Sequence, residues 1–175
     1  MKKEVSLGEC VTPLLIREEA VFKLDYFQPT YSYKDRGSKA LISFLAAYKE
    51  KIGTTLSEDS SGNAGASITA YGSAAGFTVN VYVPDTAGGP KLDLIRAYGA
   101  RVSVISGNRE DVRNAAMSDA SFYVGHSVFP EFRDGIRTLS YELFMQYNEK
   151  LPENIYIPTS AGTLLIGMYE GFQHL

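Results

Sequence analysis

Strand-like and helix-like segments alternate along most of the chain, and this alternation limits the possible fold more than any other feature of the sequence. Valines alternate with other residues from Thr78 to Val83, a pattern typical of a strand, whereas apolar residues recur at helical spacing from Asp35 to Ile52. Chains that alternate in this way form parallel sheets with helices on both faces. The sequence therefore predicts an α/β fold. Further strands are predicted at 21–27, 54–56, 101–105, 122–124 and 154–157, and further helices at 64–75, 91–98, 109–119, 132–147 and up to Gly171.

The composition is that of an ordinary globular protein and excludes several functional classes. Hydrophobic residues make up 45% and charged residues 21%, which argues against disorder. A net charge of −3 without a basic run argues against a nucleic-acid partner. No apolar run resembles a signal peptide or a membrane span, and the single Cys10 with two histidines suggests neither disulfides nor a metal cluster. We therefore expect a cytoplasmic protein that binds no nucleic acid, membrane or metal.

Three loops that are rich in glycine, hydroxyl groups and charge follow predicted strands. They lie at 30–37, 57–65 and 158–163. In parallel α/β sheets, the ligand-binding loops lie at the carboxyl ends of the strands. The sequence therefore predicts that these three loops form one site.

Lys34 is the candidate nucleophile of this site. It lies in the string T-Y-S-Y-K-D-R-G at a predicted helix start, where the positive end of the helix dipole and the neighbouring Arg36 disfavour a charged amine. A neutral amine can bond covalently to an aldehyde. The alternative interpretation is a charged helix start in solvent.

The other two loops each precede a helix and offer places for an anion. The first is S-S-G-N-A-G at 60–65 and the second is T-S-A-G-T at 159–163. Unpaired N–H groups and the helix dipole favour an anion there, but simple capping of the helix by a Ser, Thr or Asn side chain is an alternative for both loops. The second loop is not a Walker A sequence, because no Gly-Lys-Ser/Thr follows it. One amine and two anion sites suit a phosphorylated aldehyde cofactor and an amino-acid substrate.

Six strings of residues occur in the same order as in a known enzyme family and span nearly the whole chain. On these strings the chain resembles the pyridoxal-phosphate enzymes of the tryptophan synthase β type (fold type II), and within them the threonine synthases. The strings are G-E-C-V-T-P-L at 8–14, S-Y-K-D-R-G at 32–37, S-S-G-N-A-G-A-S at 60–67, K-L-D-L-I-R-A-Y-G-A at 91–100, R-D-G-I-R-T-L-S-Y-E at 133–142 and I-P-T-S-A-G-T-L-L-I-G at 157–167.

The resemblance implies a role for each loop. Lys34 would carry pyridoxal 5'-phosphate covalently and act as acid and base at the substrate Cα. Asn63 would donate a hydrogen bond to the phenolic oxygen of the cofactor. The substrate would be bound by Ser60, Ser61, Asn63 and Ala64, and the cofactor phosphate by Ser160, Ala161, Gly162 and Thr163.

The resemblance also implies a reaction and its alternatives. Threonine synthase converts O-phospho-homoserine and water into threonine and phosphate, with the pyridine ring as the electron acceptor. A threonine or serine ammonia-lyase of the same fold is the nearest alternative enzyme. A non-catalytic protein that acts by ligand binding or association is the second alternative.

Domain organisation is the last implication of the resemblance. We expect a smaller inner α/β domain at 38–130, with 1–37 and 131–175 belonging to a larger cofactor-binding domain. Family members continue well beyond the phosphate loop, so we expect the larger domain to be incomplete in this shortened chain. Incomplete packing would expose apolar surface, and we therefore expect a homo-oligomer or association with the missing part.

Three residues depart from the family pattern or resist assignment. Glu58 and Asp59 precede the 60–65 loop, where the family usually has small or apolar residues. If these carboxylates faced an anion site, they would weaken binding there. His126 is more typical of a capped loop histidine than of a base.

Overall fold

A parallel four-stranded sheet forms the centre of the protein, which a computed structural model describes from residue 4 to residue 175. The strand order is β5-β4-β3-β6, and every neighbouring pair is parallel. Parallel neighbours place all four carboxyl ends at one edge, where the loops that follow the strands gather. The strands are β3 (Thr55–Glu58), β4 (Thr78–Pro84), β5 (Arg101–Ile105) and β6 (Phe122–Tyr123).

Side chains of β4 alternate between two helical layers. Val79, Val81 and Val83 are buried beneath helix α3 (Asn63–Ala74), where an added Cβ on Gly72 would lie 2.8 Å from Val79. The opposite face meets the end of helix α5 (Arg109–Ser118), because Asn80 donates a hydrogen bond of 2.9 Å to Asp119. This alternation has the period of two that a pleated strand imposes. The sheet is therefore covered on both faces, as the sequence predicts.

Seven helices accompany the strands in the described part of the chain. Close helix pairs depend on glycine: an added Cβ on Gly135 of α6 would lie 2.0 Å from the Arg36 carbonyl oxygen of α1. An added Cβ on Gly167 of α7 would lie 2.6 Å from Ile136 of α6. The helices are α1 (Lys34–Ala46), α2 (Lys49–Ile52), α3 (Asn63–Ala74), α4 (Pro90–Ala97), α5 (Arg109–Ser118), α6 (Pro130–Gln146) and α7 (Thr163–Gln173).

A short antiparallel hairpin and a buried ion-pair network attach the first part of the chain to helices α1 and α6. The hairpin consists of β1 (Leu14–Ile16) and β2 (Val21–Lys23), and a single-turn 3-10 helix (Asp25–Phe27) follows it. Arg36 of α1 forms ion pairs of 2.8 Å with both Asp25 and Glu142 of α6, and Lys23 also pairs with Glu142. This network, which we call the Arg36 network, fixes α1 at its third residue.

The structure confirms the α/β class and corrects three elements. The predicted strand at 21–27 ends at Lys23, because its second half forms the 3-10 helix. The predicted helix at 35–52 divides into α1 and α2. The predicted strand at 154–157 does not form, because no strand within residues 4–175 lies beside it to share backbone hydrogen bonds. Tyr156 is 94% exposed there.

Two further predictions concern the organisation of the chain. No helix within residues 4–175 combines the length and the apolar character that crossing a bilayer requires. The domain boundaries at 38 and 130 remain a prediction.

Candidate active site

Lys34 is the first residue of helix α1, and its amine points toward the start of helix α7. Its Nζ donates a hydrogen bond of 3.3 Å to Oγ1 of Thr163, the first residue of α7. Nζ also lies 4.8 Å from the ring centre of Tyr33 and 5.6 Å from that of Phe132. The lysine and the predicted phosphate loop, which are 129 positions apart in the sequence, therefore meet directly.

Asp35, the next residue, links the lysine to helix α3. It is fully buried and accepts hydrogen bonds of 2.6 Å from the Thr30 amide and 2.5 Å from the Ser67 hydroxyl. Burial raises the pKa of Asp35, and the hydrogen bonds from Ser67 and Thr30 oppose this rise. Since Ser67 lies one turn after Asn63, the hydrogen bond between Asp35 and Ser67 holds the start of α3 beside the start of α1.

The 60–62 loop lies against helix α3 because Gly65 has no side chain. An added Cβ on Gly65 would lie 2.0 Å from the Ser60 carbonyl oxygen. The Ser60 hydroxyl accepts a hydrogen bond of 3.3 Å from the Gly62 amide, which lies before the helix. No side chain caps the first amides of α3 within the described residues, so the capping alternative is wrong for this loop.

The 159–162 loop reaches helix α7 through a left-handed glycine. Gly162 has a φ of 84°, a conformation that residues with a Cβ rarely adopt. The Thr159 hydroxyl donates a hydrogen bond back to the Ile157 carbonyl, and α7 has no side-chain cap in the part of the chain described here. Capping is therefore wrong for this loop too. Helix α5 shows the contrast, because Asn108 caps its amides.

The structure brings some predicted site residues into contact and others only near one another. Lys34 and Thr163 share a hydrogen bond, whereas Asn63 reaches the same region only through the packing of α3 on α1. No hydrogen bond joins Lys34 to Asn63 within residues 4–175. The remaining predicted residues lie on the two loops or, in one case, at the start of α3: Ser60 and Ser61 are half-buried, Ala64 is buried, Ser160 and Ala161 are exposed, and Gly162 is half-buried.

Glu58 and Asp59 both have basic or hydroxyl partners. Asp59 forms an ion pair of 2.7 Å with Arg109 and accepts a hydrogen bond of 3.0 Å from the Tyr123 hydroxyl. Glu58 is fully buried, and its Oε1 lies 2.9 Å from Nδ1 of His126. Burial raises the pKa of Glu58, and the contact with His126 opposes this rise. Each carboxylate therefore bonds to a side chain outside the 60–65 loop.

Sequence reasoning missed the contact between Glu58 and His126. The two residues are 68 positions apart, so no local pattern connects them. The signal that could have found it is the order of the strands. Glu58 is the last residue of β3, and His126 follows β6, which is the parallel neighbour of β3. Knowledge of this strand order would have placed both residues at the same edge of the sheet.

The fold and the site together define a class of protein: an α/β protein that presents a lysine amine at one helix start suited to anions and holds a second such helix start nearby, through the bond between Asp35 and Ser67. A sequence model described as pyridoxal-phosphate dependent enzyme matches residues 5–175. The chain belongs to this family.

Curated relatives include several threonine synthases. The chain is 29% identical to the threonine synthase of Methanosarcina acetivorans, over 98% of this chain and 45% of that protein. It is 31% identical to the threonine synthase of a Bacillus species, over 97% of this chain and 50% of that protein. The chain therefore spans about half the length of these curated relatives.

Solved structures confirm the fold. A pyridoxal 5'-phosphate-dependent aspartate racemase superposes with a TM-score of 0.83 at 24% identity, covering 98% of this chain and 56% of the racemase. A fungal L-serine ammonia-lyase from Rhizomucor miehei gives a TM-score of 0.80 at 24% identity, covering 94% of this chain and 56% of the lyase.

The residues around Lys34 fit pyridoxal phosphate, the cofactor that the family description implies. An aldehyde requires an amine, which Lys34 places at 3.3 Å from the first residue of α7. A phosphate requires N–H donors that no side chain occupies, which the start of α7 offers. Gly162 supplies the left-handed backbone, with a φ of 84°, that leads into these donors. The donor set therefore suits both the aldehyde and the phosphate of the cofactor.

Proposed function

We propose that this chain forms the lysine-bearing part of a threonine synthase-like enzyme. The reaction is the conversion of O-phospho-homoserine and water into threonine and phosphate. The hydrogen bond between Lys34 and Thr163 carries the proposal, because it joins the reactive amine to the phosphate loop. Threonine synthases related over nearly the whole chain support the choice of reaction.

Each loop has a distinct role in this proposal. Lys34 anchors the cofactor and moves the proton at the substrate Cα, while Asn63 donates a hydrogen bond to the cofactor phenolic oxygen. When bound, pyridoxal phosphate supplies a conjugated acceptor for the electron pair that the lost proton leaves behind. The amides and hydroxyls of Ser60, Ser61 and Ala64 bind the substrate carboxylate, and those of Ser160, Ala161, Gly162 and Thr163 hold the cofactor phosphate.

The buried neighbours of Lys34 orient it for this role. Asp35 fastens the start of α1 to α3, and Arg36 fastens it to α6. An amine on a fixed helix start samples fewer orientations, which favours one approach to the reacting carbon. Phe132 and Tyr33 place the centres of their aromatic rings 5.6 Å and 4.8 Å from the amine.

The first test is binding of the cofactor. Pyridoxal phosphate added to the chain should give a visible absorption band that survives desalting. The band should disappear in Lys34→Ala and persist in Lys91→Ala, which removes an exposed lysine of α4. A wild-type chain without the band, or a band that persists in Lys34→Ala, would contradict the proposal.

The second test separates the reactions. Phosphate release from O-phospho-homoserine is expected from a threonine synthase, whereas ammonia release from threonine or serine would instead favour the ammonia-lyase alternative. We also propose that the chain associates with a second copy of itself or with a separate segment that corresponds to the rest of the larger domain. The mass of the particle in solution tests this proposal.

A further inference from the structure

Glu58 is a fully buried carboxylate with one oxygen that lacks a partner. Its Oε1 contacts His126 at 2.9 Å, but Oε2 has no hydrogen-bond partner within residues 4–175. Burying a carboxylate oxygen without a partner costs free energy, so this atom calls for an explanation. The role proposed above for Lys34 and the two anion-binding loops does not use this residue.

The position of the pair connects it to the lysine site. Glu58 ends strand β3 directly before the 60–65 loop, and His126 follows the neighbouring parallel strand β6. The His126 ring lies 5.7 Å from the ring of Phe132, and the Lys34 amine lies 5.6 Å from the same ring. His126 and Lys34 therefore both lie near the ring of Phe132.

The other charged groups near Glu58 are already engaged. Asp59 is paired with Arg109 and accepts a hydrogen bond from Tyr123. His126 is therefore the group that binds the Glu58 carboxylate, through Nδ1. Its second ring nitrogen, Nε2, has no hydrogen-bond partner in the described part of the chain, and the side chain is 13% exposed.

We propose that Glu58 is a positioning residue that holds the Nδ1–H of His126, so that Nε2 accepts a hydrogen bond from a hydroxyl group of the substrate or product. A carboxylate on one ring nitrogen fixes both the tautomer and the orientation of an imidazole. With the proton on Nδ1, Nε2 carries a lone pair and can accept a hydrogen bond. The inference rests on the proposed function, because it takes the edge near Lys34 as the substrate site.

The tautomer of His126 tests the first half of the inference without any cofactor. In nitrogen-15 spectra of histidine-labelled chain, His126 should show protonated Nδ1 and unprotonated Nε2, and His174→Gln assigns the signals of the two histidines. Glu58→Leu should release the Nε2–H tautomer, while Glu58→Gln, which retains a carbonyl acceptor, should preserve most of the wild-type pattern. A wild-type His126 protonated on Nε2 would overturn the inference, whatever the variants do.

Ligand discrimination tests the second half. In the cofactor-loaded chain, L-threonine should bind about tenfold more tightly than L-2-aminobutyrate, which lacks the hydroxyl, as expected for one buried hydrogen bond. His126→Phe should abolish this preference. Equal binding of the two ligands by wild type overturns the inference while leaving the proposed function intact. Absence of the cofactor band overturns the proposed function, and the inference that rests on it, even if the tautomer is as expected.

Discussion

Replacing Glu142 by glutamine should destabilise the protein strongly, because Glu142 is the shared acceptor of the Arg36 network. It accepts from Arg36 and Lys23, and its side chain is 13% exposed. Burial alone would raise the pKa of Glu142, but the hydrogen bonds and charges of Arg36 and Lys23 outweigh burial and lower the pKa from 4.5 to about 2. At about 1.4 kcal/mol for each tenfold change in proton affinity, this difference corresponds to about 3 kcal/mol of stability.

The sign of the pH dependence follows from the lowered pKa of Glu142. Because the folded state binds the proton more weakly than the unfolded state, the contribution is complete above pH 4.5 and is lost as the pH falls toward 2. Glu142→Gln resembles the protonated form at every pH. Its free energy of unfolding should therefore be about 3 kcal/mol below that of wild type at pH 7, and the difference should shrink to less than half at about pH 3.

Urea denaturation followed by far-UV circular dichroism measures this difference, since the chain has no tryptophan. With a slope of about 2 kcal/mol per molar urea, the midpoint at pH 7 should fall by about 1.5 M. Glu50→Gln is the matched control, because Glu50 is exposed on α2 and should shift stability by less than about 0.5 kcal/mol. A difference for Glu142→Gln that stays constant from pH 7 to pH 3 would refute the reasoning.

Two further predictions concern the loops beside Lys34. Gly65→Ala should destabilise the protein by about 2 kcal/mol, because its Cβ would lie 2.0 Å from the Ser60 carbonyl, while Gly88→Ala, with no atom within 4 Å, should change little in the same urea experiment. Thr163→Val removes the hydroxyl that Lys34 contacts, and should weaken pyridoxal phosphate binding about five- to tenfold in a spectroscopic titration. An unchanged dissociation constant in Thr163→Val would show that this hydroxyl does not contribute to the cofactor site.

Local patterns in the sequence were sufficient to predict most elements of the fold. Strand β5 occupies the predicted bounds Arg101–Ile105, because a short run of alternating residues between two turns marks both of its ends. The strand predicted at 154–157 does not form, because a local pattern cannot supply the neighbouring strand that it needs. A strand is stabilised by hydrogen bonds to its neighbour, and residues 4–175 place no strand beside this segment.

The candidate site was predictable in part. The parallel sheet places only the 57–65 loop, which follows β3. The 30–37 loop follows the antiparallel hairpin and the 3-10 helix, and the hydrogen bond between Asp35 and Ser67 holds it beside α3. The absence of a side-chain cap on α3 and α7 was not predictable from the sequence. Residues able to cap precede both helices, and only the backbone geometry decides whether their side chains bond to the first amides. The contact between Glu58 and His126 likewise depends on the order of the strands in the sheet, which local patterns do not encode.

Chemical mapping of the modified lysine tests the central claim most directly. Borohydride treatment of the chain incubated with pyridoxal phosphate makes the bond between cofactor and lysine permanent, and peptide mass spectrometry then locates it. Our account predicts modification of Lys34 at a stoichiometry near one, with the other lysines modified only in trace amounts. Modification spread evenly over the exposed lysines, or concentrated on a lysine other than Lys34, would contradict it.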